Sequence, residues 1–151
     1  AEAMAVNAET PLRITQAFLA HAKAKGGKRV IQLTDQKLVN PNPDFLSYTI
    51  SKHALAASIP MLAMAASDPR DRIYGLAPGA SLPSHDQQDA EHEVSGRLNL
   101  LERLTDPDEL AQAALWLSQG WLASGQTLYV DSGLHLVPSP RDVLFMARAK
   151  N

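Results

Sequence analysis

The chain has 151 residues, 45% of them hydrophobic and 20% charged, with a formal net charge of −2. That is the size and balance of one globular domain, with no basic excess to hold nucleic acid. Cysteine is absent, which excludes disulfides and thiol chemistry and agrees with a cytoplasmic location. No apolar run approaches the roughly 20 residues of a membrane span, and no signal-peptide pattern opens the chain.

The opening "AEAMAVNAET" reads as the interior of a helix, a first expectation that an N-terminal part lies outside this chain. "PLRITQAFLAHAKAKGG" continues it, with Leu12, Thr15, Phe18, Leu19 and Ala22 on one face. Lys23 and Lys25 stand in the last turn, and Gly26 and Gly27 end it. "RVIQLTD" is β-branched and apolar and predicts a strand. "NPNPD" is a turn with Asp44 as N-cap. A helix is predicted from about Phe45 to Ser67. Its Ala/Leu/Met stretch is apolar on nearly all sides, as in a helix buried against a partner. Pro60 lies inside it and should kink it or remove one backbone bond.

"DRIYGLAPG" predicts a short strand ending at Pro78-Gly79, and "SLPSHDQQDAEHEVSG" a mobile loop that turns helical. "TDPDELAQAALWLSQG" is a helix capped by Thr105 or Asp106, with Pro107, Asp108 and Glu109 suited to its positive end. "QTLYVDSG" predicts a last strand, and the segment from Leu134 has no clear period. Strands separated by helices argue for a parallel sheet with right-handed crossovers. Three strands alone leave a long apolar edge unpaired, which folded proteins avoid. Part of the domain is therefore expected elsewhere.

Several constellations carry chemistry. Tyr48 and Lys52 lie one helical turn apart on one face. An ammonium beside a phenol favours the phenolate and suits proton transfer at neutral pH; the same spacing also arises on ordinary helix surfaces. Asp35 follows a strand at the carboxyl end where open α/β sheets bind ligands, or it simply forms the turn. "APGAS" offers a close backbone approach at Gly79 and a hydroxyl at Ser81. His85, Asp86, Asp89, Glu91, His92 and Glu93 are loosely clustered, but no known metal spacing repeats; they read as a solvated acidic loop, and no metal is expected. Trp116 and Trp121 read as core or interface. No G-x-G-x-x-G run is present.

Taken in order, Asn7, the strand ending at Asp35, "YTISK", "APG", "RLTDPDELAQAALWL" and "ASGQTLYVDSG" resemble the C-terminal half of a short-chain dehydrogenase/reductase over residues 4 to 136. The family's active-site set of Asn, Ser, Tyr and Lys falls on Asn7, Asp35, Tyr48 and Lys52. An Asp in the second place resembles the pteridine and dihydromonapterin reductase branch. Three positions depart from the family pattern: Tyr74 where Asn is usual, Ser132 in place of one Gly, and Pro60 in the active-site helix.

The resemblance implies one doubly wound, Rossmann-like α/β domain. Residues 1–136 supply its last three parallel strands, residues 82–100 a substrate lid, and residues 137–151 a tail. It implies NADP or NAD as cofactor, held by Tyr48, Lys52, Pro78, Gly79 and Ser81. Tyr48 would relay the proton, and Lys52 would lower its pKa and bind the nicotinamide ribose. Asn7 would hold a water, and Asp35 would help protonate a pterin nitrogen. The partner is a small molecule, with a pterin favoured. The helices at about 8–25 and 45–67 would form a homodimer or homotetramer. This chain alone is expected to be inactive. Two other readings stay open: a reductase of another carbonyl or enoyl substrate, and a non-catalytic dimerisation module.

Overall fold

The computed structural model describes residues 2–84 and 87–149. A short helix α1 (Glu2–Met4) passes through a π-helical turn (Ala5–Glu9) into α2 (Thr10–His21), with Met4, Glu9 and Thr10 all in right-handed helical dihedrals. Strand β1 (Arg29–Leu33) follows. Next come a 3-10 turn (Gln36–Leu38) and the long helix α3 (Leu46–Ala65), which runs unbroken through Pro60. Strand β2 (Arg72–Pro78), α4 (Asp89–Gly96), α5 (Pro107–Ser118) and β3 (Thr127–Val130) complete the predicted series.

The three strands form one parallel sheet in the order β1-β2-β3, with Ile31 opposite Tyr74 and Leu76 opposite Leu128. This is the α/β architecture expected from the sequence. β2 is central, so both its edges are paired, and helices cover both its faces. Ile73, Tyr74, Leu76 and Ala77 are buried, and Tyr74 and Leu76 pack with Leu117 of α5. On the opposite face α3 comes so close that a side chain at Gly75 would meet Ile59. Residues alternate across a strand, so each face of β2 serves a different helix.

Helix α5 begins with a reciprocal capping box. Asp106 caps the first turn and Glu109 reaches back to the Asp106 N–H. Of the two candidate caps, Asp106 takes the position, while Thr105 is buried and hydrogen-bonds Ser132 at 3.1 Å. Tyr74 is a core residue whose hydroxyl donates to the Leu122 carbonyl. Ser132 sits at φ 55°, a left-handed conformation that glycine adopts without strain.

One stretch differs from the sequence expectations. The stretch without a period contains a 3-10 turn (Leu134–Leu136) and a helix, α6 (Val143–Arg148), whose Leu144 and Ala147 are buried. One short helix of six residues carries too few turns to show a repeat. Within this chain the apolar part of α3 is not covered all round, and Met61 and Met64 are exposed, which leaves the expectation of a partner helix open. Trp116 and Trp121, read as core or interface, pack edge-to-face at 6.3 Å on the surface, with Trp121 73% exposed, which leaves the interface alternative. Among the described residues no helix is long and apolar enough to cross a membrane.

Candidate active site

The site is assembled at the carboxyl ends of β1 and β2. Thr34 extends β1 by donating its N–H to the Leu76 carbonyl at 2.8 Å, which places Asp35 just beyond the sheet. Asp35 forms the turn and also meets Tyr48. Its Oδ1 accepts the Lys37 N–H at 2.8 Å and caps the 3-10 turn, and its Oδ2 accepts the Tyr48 hydroxyl at 2.7 Å. Tyr48 is in the first turn of α3, so sheet and helix meet in this one bond.

Burial pushes the Asp35 carboxyl above its ordinary range, against the Lys37 N–H, the Tyr48 hydroxyl and the charges of Lys37 and Lys52. Burial likewise pushes the Tyr48 phenol above its usual range, and the charge and hydrogen bond of Asp35 add to this. A hydroxyl that donates to a carboxylate is held protonated. The phenol therefore moves opposite to the direction expected from Lys52. The reason is geometric: the Lys52 ammonium donates to the Leu33 carbonyl at 2.9 Å and lies 5.7 Å from the Tyr48 ring centre. Burial lowers the Lys52 pKa, and Asp35 opposes the shift.

Asn7 lies in the π-helical turn and donates to Ser51 Oγ at 3.1 Å, while Ser51 Oγ donates to the Tyr48 carbonyl at 2.6 Å. Asn7 is thus tied to α3 one residue before Lys52. A π turn of this kind often accompanies a functional position.

A cleft of about 570 Å³ brings together Asp35, Tyr48, Pro78, Gly79 and Ser81; Asn7 and Lys52 stand outside its lining. Leu82, Ser84, Gln87, His92 and Ser95 wall it from the α4 side, and Leu144 from α6. Gly79 has a packing reason to be glycine, because a Cβ there would stand 2.7 Å from Asp131 Cα. Ser81 Oγ is buried without a hydrogen-bond partner, while its carbonyl is 3.0 Å from His92 Nε2. Buried hydroxyls are nearly always paired, so this orphan hydroxyl fits a ligand oxygen.

The sequence reading missed Lys37, Asp142 and Phe45, which also line the cleft. The Lys37 ammonium is paired with Asp142 at 3.0 Å. No signal in the sequence joins two residues so far apart. Phe45 stacks on Phe145, ring centres 5.5 Å apart. Among the described residues no three His, Asp or Glu side chains converge on a metal-sized position. His85 and Asp86 of the acidic loop lie outside the described residues.

A parallel sheet with helices on both faces, and a Tyr/Asp pair at the strands' carboxyl ends, point to one class of protein. The family profile described as enoyl-(acyl carrier protein) reductase matches residues 1–135. The chain belongs to the short-chain dehydrogenase/reductase family. It is 31% identical over 115 residues to 3beta-hydroxysteroid dehydrogenase 1 of Eggerthella lenta, covering 72% of this chain and 44% of that protein. It is 28% identical over 120 residues to the short chain dehydrogenase/reductase astE of Aspergillus oryzae, covering 74% and 46%. The crystal structure of FolM alternative dihydrofolate reductase 1 from Brucella canis, complexed with NADP, superposes with a TM-score of 0.84 at 29% identity, covering 93% of this chain and 56% of that one. The chain spans about half the length of the curated relatives it matches.

Proposed function

We propose that this chain is the proton-transfer half of an NAD(P)H-dependent reductase of dihydropterin-type substrates. The observation that carries the reading is the Tyr48–Asp35 hydrogen bond of 2.7 Å, set in a cleft at the carboxyl ends of parallel strands. The likeness to a dihydrofolate reductase complexed with NADP supports both substrate class and cofactor.

Tyr48, Lys52, Pro78, Gly79 and Ser81 would hold the part of the dinucleotide that reaches this half, and the unpaired Ser81 hydroxyl fits one of its oxygens. The cofactor, when bound, supplies a hydride. The protein's own task is then the proton. Tyr48 Oη carries one and is kept neutral by burial and by Asp35. Asp35, with its carboxyl raised by burial and hydrogen-bonded to that hydroxyl, is placed to take up the one proton that the hydride requires and pass it to a ring nitrogen, with Tyr48 as the relay. Lys52 and Asn7 act from behind, on the end of β1 and on α3. Residues 82–100 serve as the lid. The exposed apolar residues Ile14, Phe18, Ile50, Met61 and Met64 support assembly into a homo-oligomer through α2 and α3.

A second reading keeps the machinery and changes the substrate to a ketone or enoyl thioester. The hydroxysteroid dehydrogenase relative and the description of the family profile favour it. Asp35→Ala in the full-length protein separates the two. Dihydropterin reduction should fall by about 10²–10⁴ while simple ketones are unaffected. Unchanged dihydropterin turnover and affinity would overturn the pterin assignment. Tyr48→Phe removes the proton-carrying hydroxyl and keeps the ring, so it should abolish turnover of either substrate while lowering NADPH affinity far less, because Lys52, Pro78, Gly79 and Ser81 remain. NADPH binding by neither this chain nor the full-length protein would favour a non-catalytic dimerisation module.

A further inference from the structure

We propose that Lys37 is a positioning residue that holds the Asp35 carboxylate against Tyr48, acting through the amino end of α6. The inference rests on the reading of Asp35 and Tyr48 given above and adds a residue to it. Lys37 is a buried ammonium, 4% exposed, and a buried charge persists only where it is paired and hydrogen-bonded. Its Nζ donates to Asp142 Oδ2 at 3.0 Å and to the Asp44 carbonyl at 2.9 Å, with the Phe45 ring centre 5.4 Å away. At the other end of the same residue, the backbone N–H donates to Asp35 Oδ1. One residue therefore grips the reacting carboxylate by its main chain, while its side chain is fixed to a segment 105 positions further on.

That segment is itself fixed. Asp142 Oδ1 accepts the Leu144 N–H at 3.0 Å and caps α6, and the Asp142 N–H donates to Asp44 Oδ2 at 2.7 Å. Asp44 Oδ2 also accepts from Arg141 Nε at 2.7 Å. The loop between β1 and α3 is thus pinned to residues 141–142 at two points. Asp35 Oδ1 has the Lys37 N–H as its donor; with that turn loosened, the carboxylate is free to rotate away from Tyr48 Oη. The charged and titratable groups facing the pair are Lys37 on the same turn, Lys52 on α3, and Asp142 at the head of α6, which faces Tyr48. The Lys37 N–H and ammonium both favour the ionised carboxylate, so their loss should raise its titration midpoint.

The test uses the full-length protein. Lys37→Met keeps the apolar stem and removes the charge; Lys37→Arg keeps the charge. For Lys37→Met the expected result is a loss in kcat on the order of tenfold or more, with KM for the cofactor little changed. In the ligand-free protein, carboxyl ¹³C NMR should show the Asp35 midpoint displaced upward, and Lys37→Arg should restore both readouts. Lys37→Met leaves Asp142 without its buried partner and risks the fold. Lys37→Met/Asp142→Asn removes the uncompensated charge and keeps a cap for α6, and it should show the same displaced midpoint. A folded double variant with wild-type kcat and a wild-type Asp35 midpoint overturns the positioning role. The catalytic reading fails separately, if Asp35→Ala leaves turnover intact; the NMR midpoint then still decides whether Lys37 holds Asp35.

Discussion

Gly75→Ala is expected to destabilise the protein by about 1–2 kcal/mol, and the packing around β2 gives the figure. Gly75 sits between Gln32 of β1 and Thr127 of β3. An added Cβ would overlap Thr127 Oγ1 and stand 2.9 Å from Ile59 Cδ1. Ile59 is fully buried and has nowhere to swing. Overpacking of this kind costs about 1–3 kcal/mol. Alanine returns about 0.4–1 kcal/mol by narrowing the unfolded ensemble, because the glycine is not in the left-handed region. The remainder should appear as a lower urea midpoint with an unchanged slope. Thr127→Ala and Ile59→Val remove the two atoms in the way. In that background Gly75→Ala should be milder by roughly 0.5 kcal/mol or more, a coupling that a mutant cycle reads directly. Because α3 carries Tyr48 and Lys52, Gly75→Ala alone should also slow turnover. An equal loss in both backgrounds, or a gain in stability from Gly75→Ala itself, would refute the close approach of α3 to β2.

Three further outcomes follow from the same structure. Asp35 has its folded pKa raised above the unfolded 3.8, so its stabilising contribution is present below that value and lost as pH rises through the folded pKa. Asp35→Asn should therefore gain stability relative to the wild type between acid and neutral pH, by about 1.4 kcal/mol for each unit of the shift; a pH-independent difference in urea titrations would contradict this. Tyr74→Phe should lose about 1–3 kcal/mol by removing the donor to the Leu122 carbonyl, with turnover unchanged, checked by thermal and chemical unfolding beside kinetics. Ser132→Ala should be less stable than Ser132→Gly, because both lose the bond to Thr105 but only alanine keeps the left-handed strain at φ 55°; the reverse order in unfolding midpoints would count against the strain.

What was legible in the sequence had a local signature. The start of α5 at Asp106–Glu109 is a four-residue pattern of cap, proline and acidic first turn, β2 is an apolar run closed by Pro78-Gly79, and Tyr48 and Lys52 sit at helical spacing. The strand-end rule was enough to mark Asp35 beside Tyr48, and the two do meet. The direction of Lys52 was not legible, because spacing fixes which face a side chain leaves from and not which acceptor it finds; the Leu33 carbonyl wins. Nor does any one-dimensional pattern announce the ion pair of Lys37 with Asp142, which only the completed fold brings together. Gly79 was marked as room for a ligand, and the nearest neighbour of that room is the Asp131 backbone. Phe45, at φ 53° before α3, breaks the rule that bulky residues avoid that region, and composition gives no hint of it.

The π-helical turn over Ala5–Glu9 has a consequence for mutation by length. Each residue of an α-helix advances the chain by about 100° around its axis, and a π turn winds in one residue more than its α-helical equivalent. Deleting a single residue there would let the turn relax to α-helix with what precedes it still in phase, and would shift only the residues inside the turn, Asn7 among them, by roughly half that angle. Asn7 would then turn partly away from Ser51 without any change in its chemistry. The extra residue in this turn sets where Asn7 stands and leaves its flanks in register, so a one-residue deletion between Ala5 and Glu9 should loosen the Asn7–Ser51 link while the helix on either side keeps its packing.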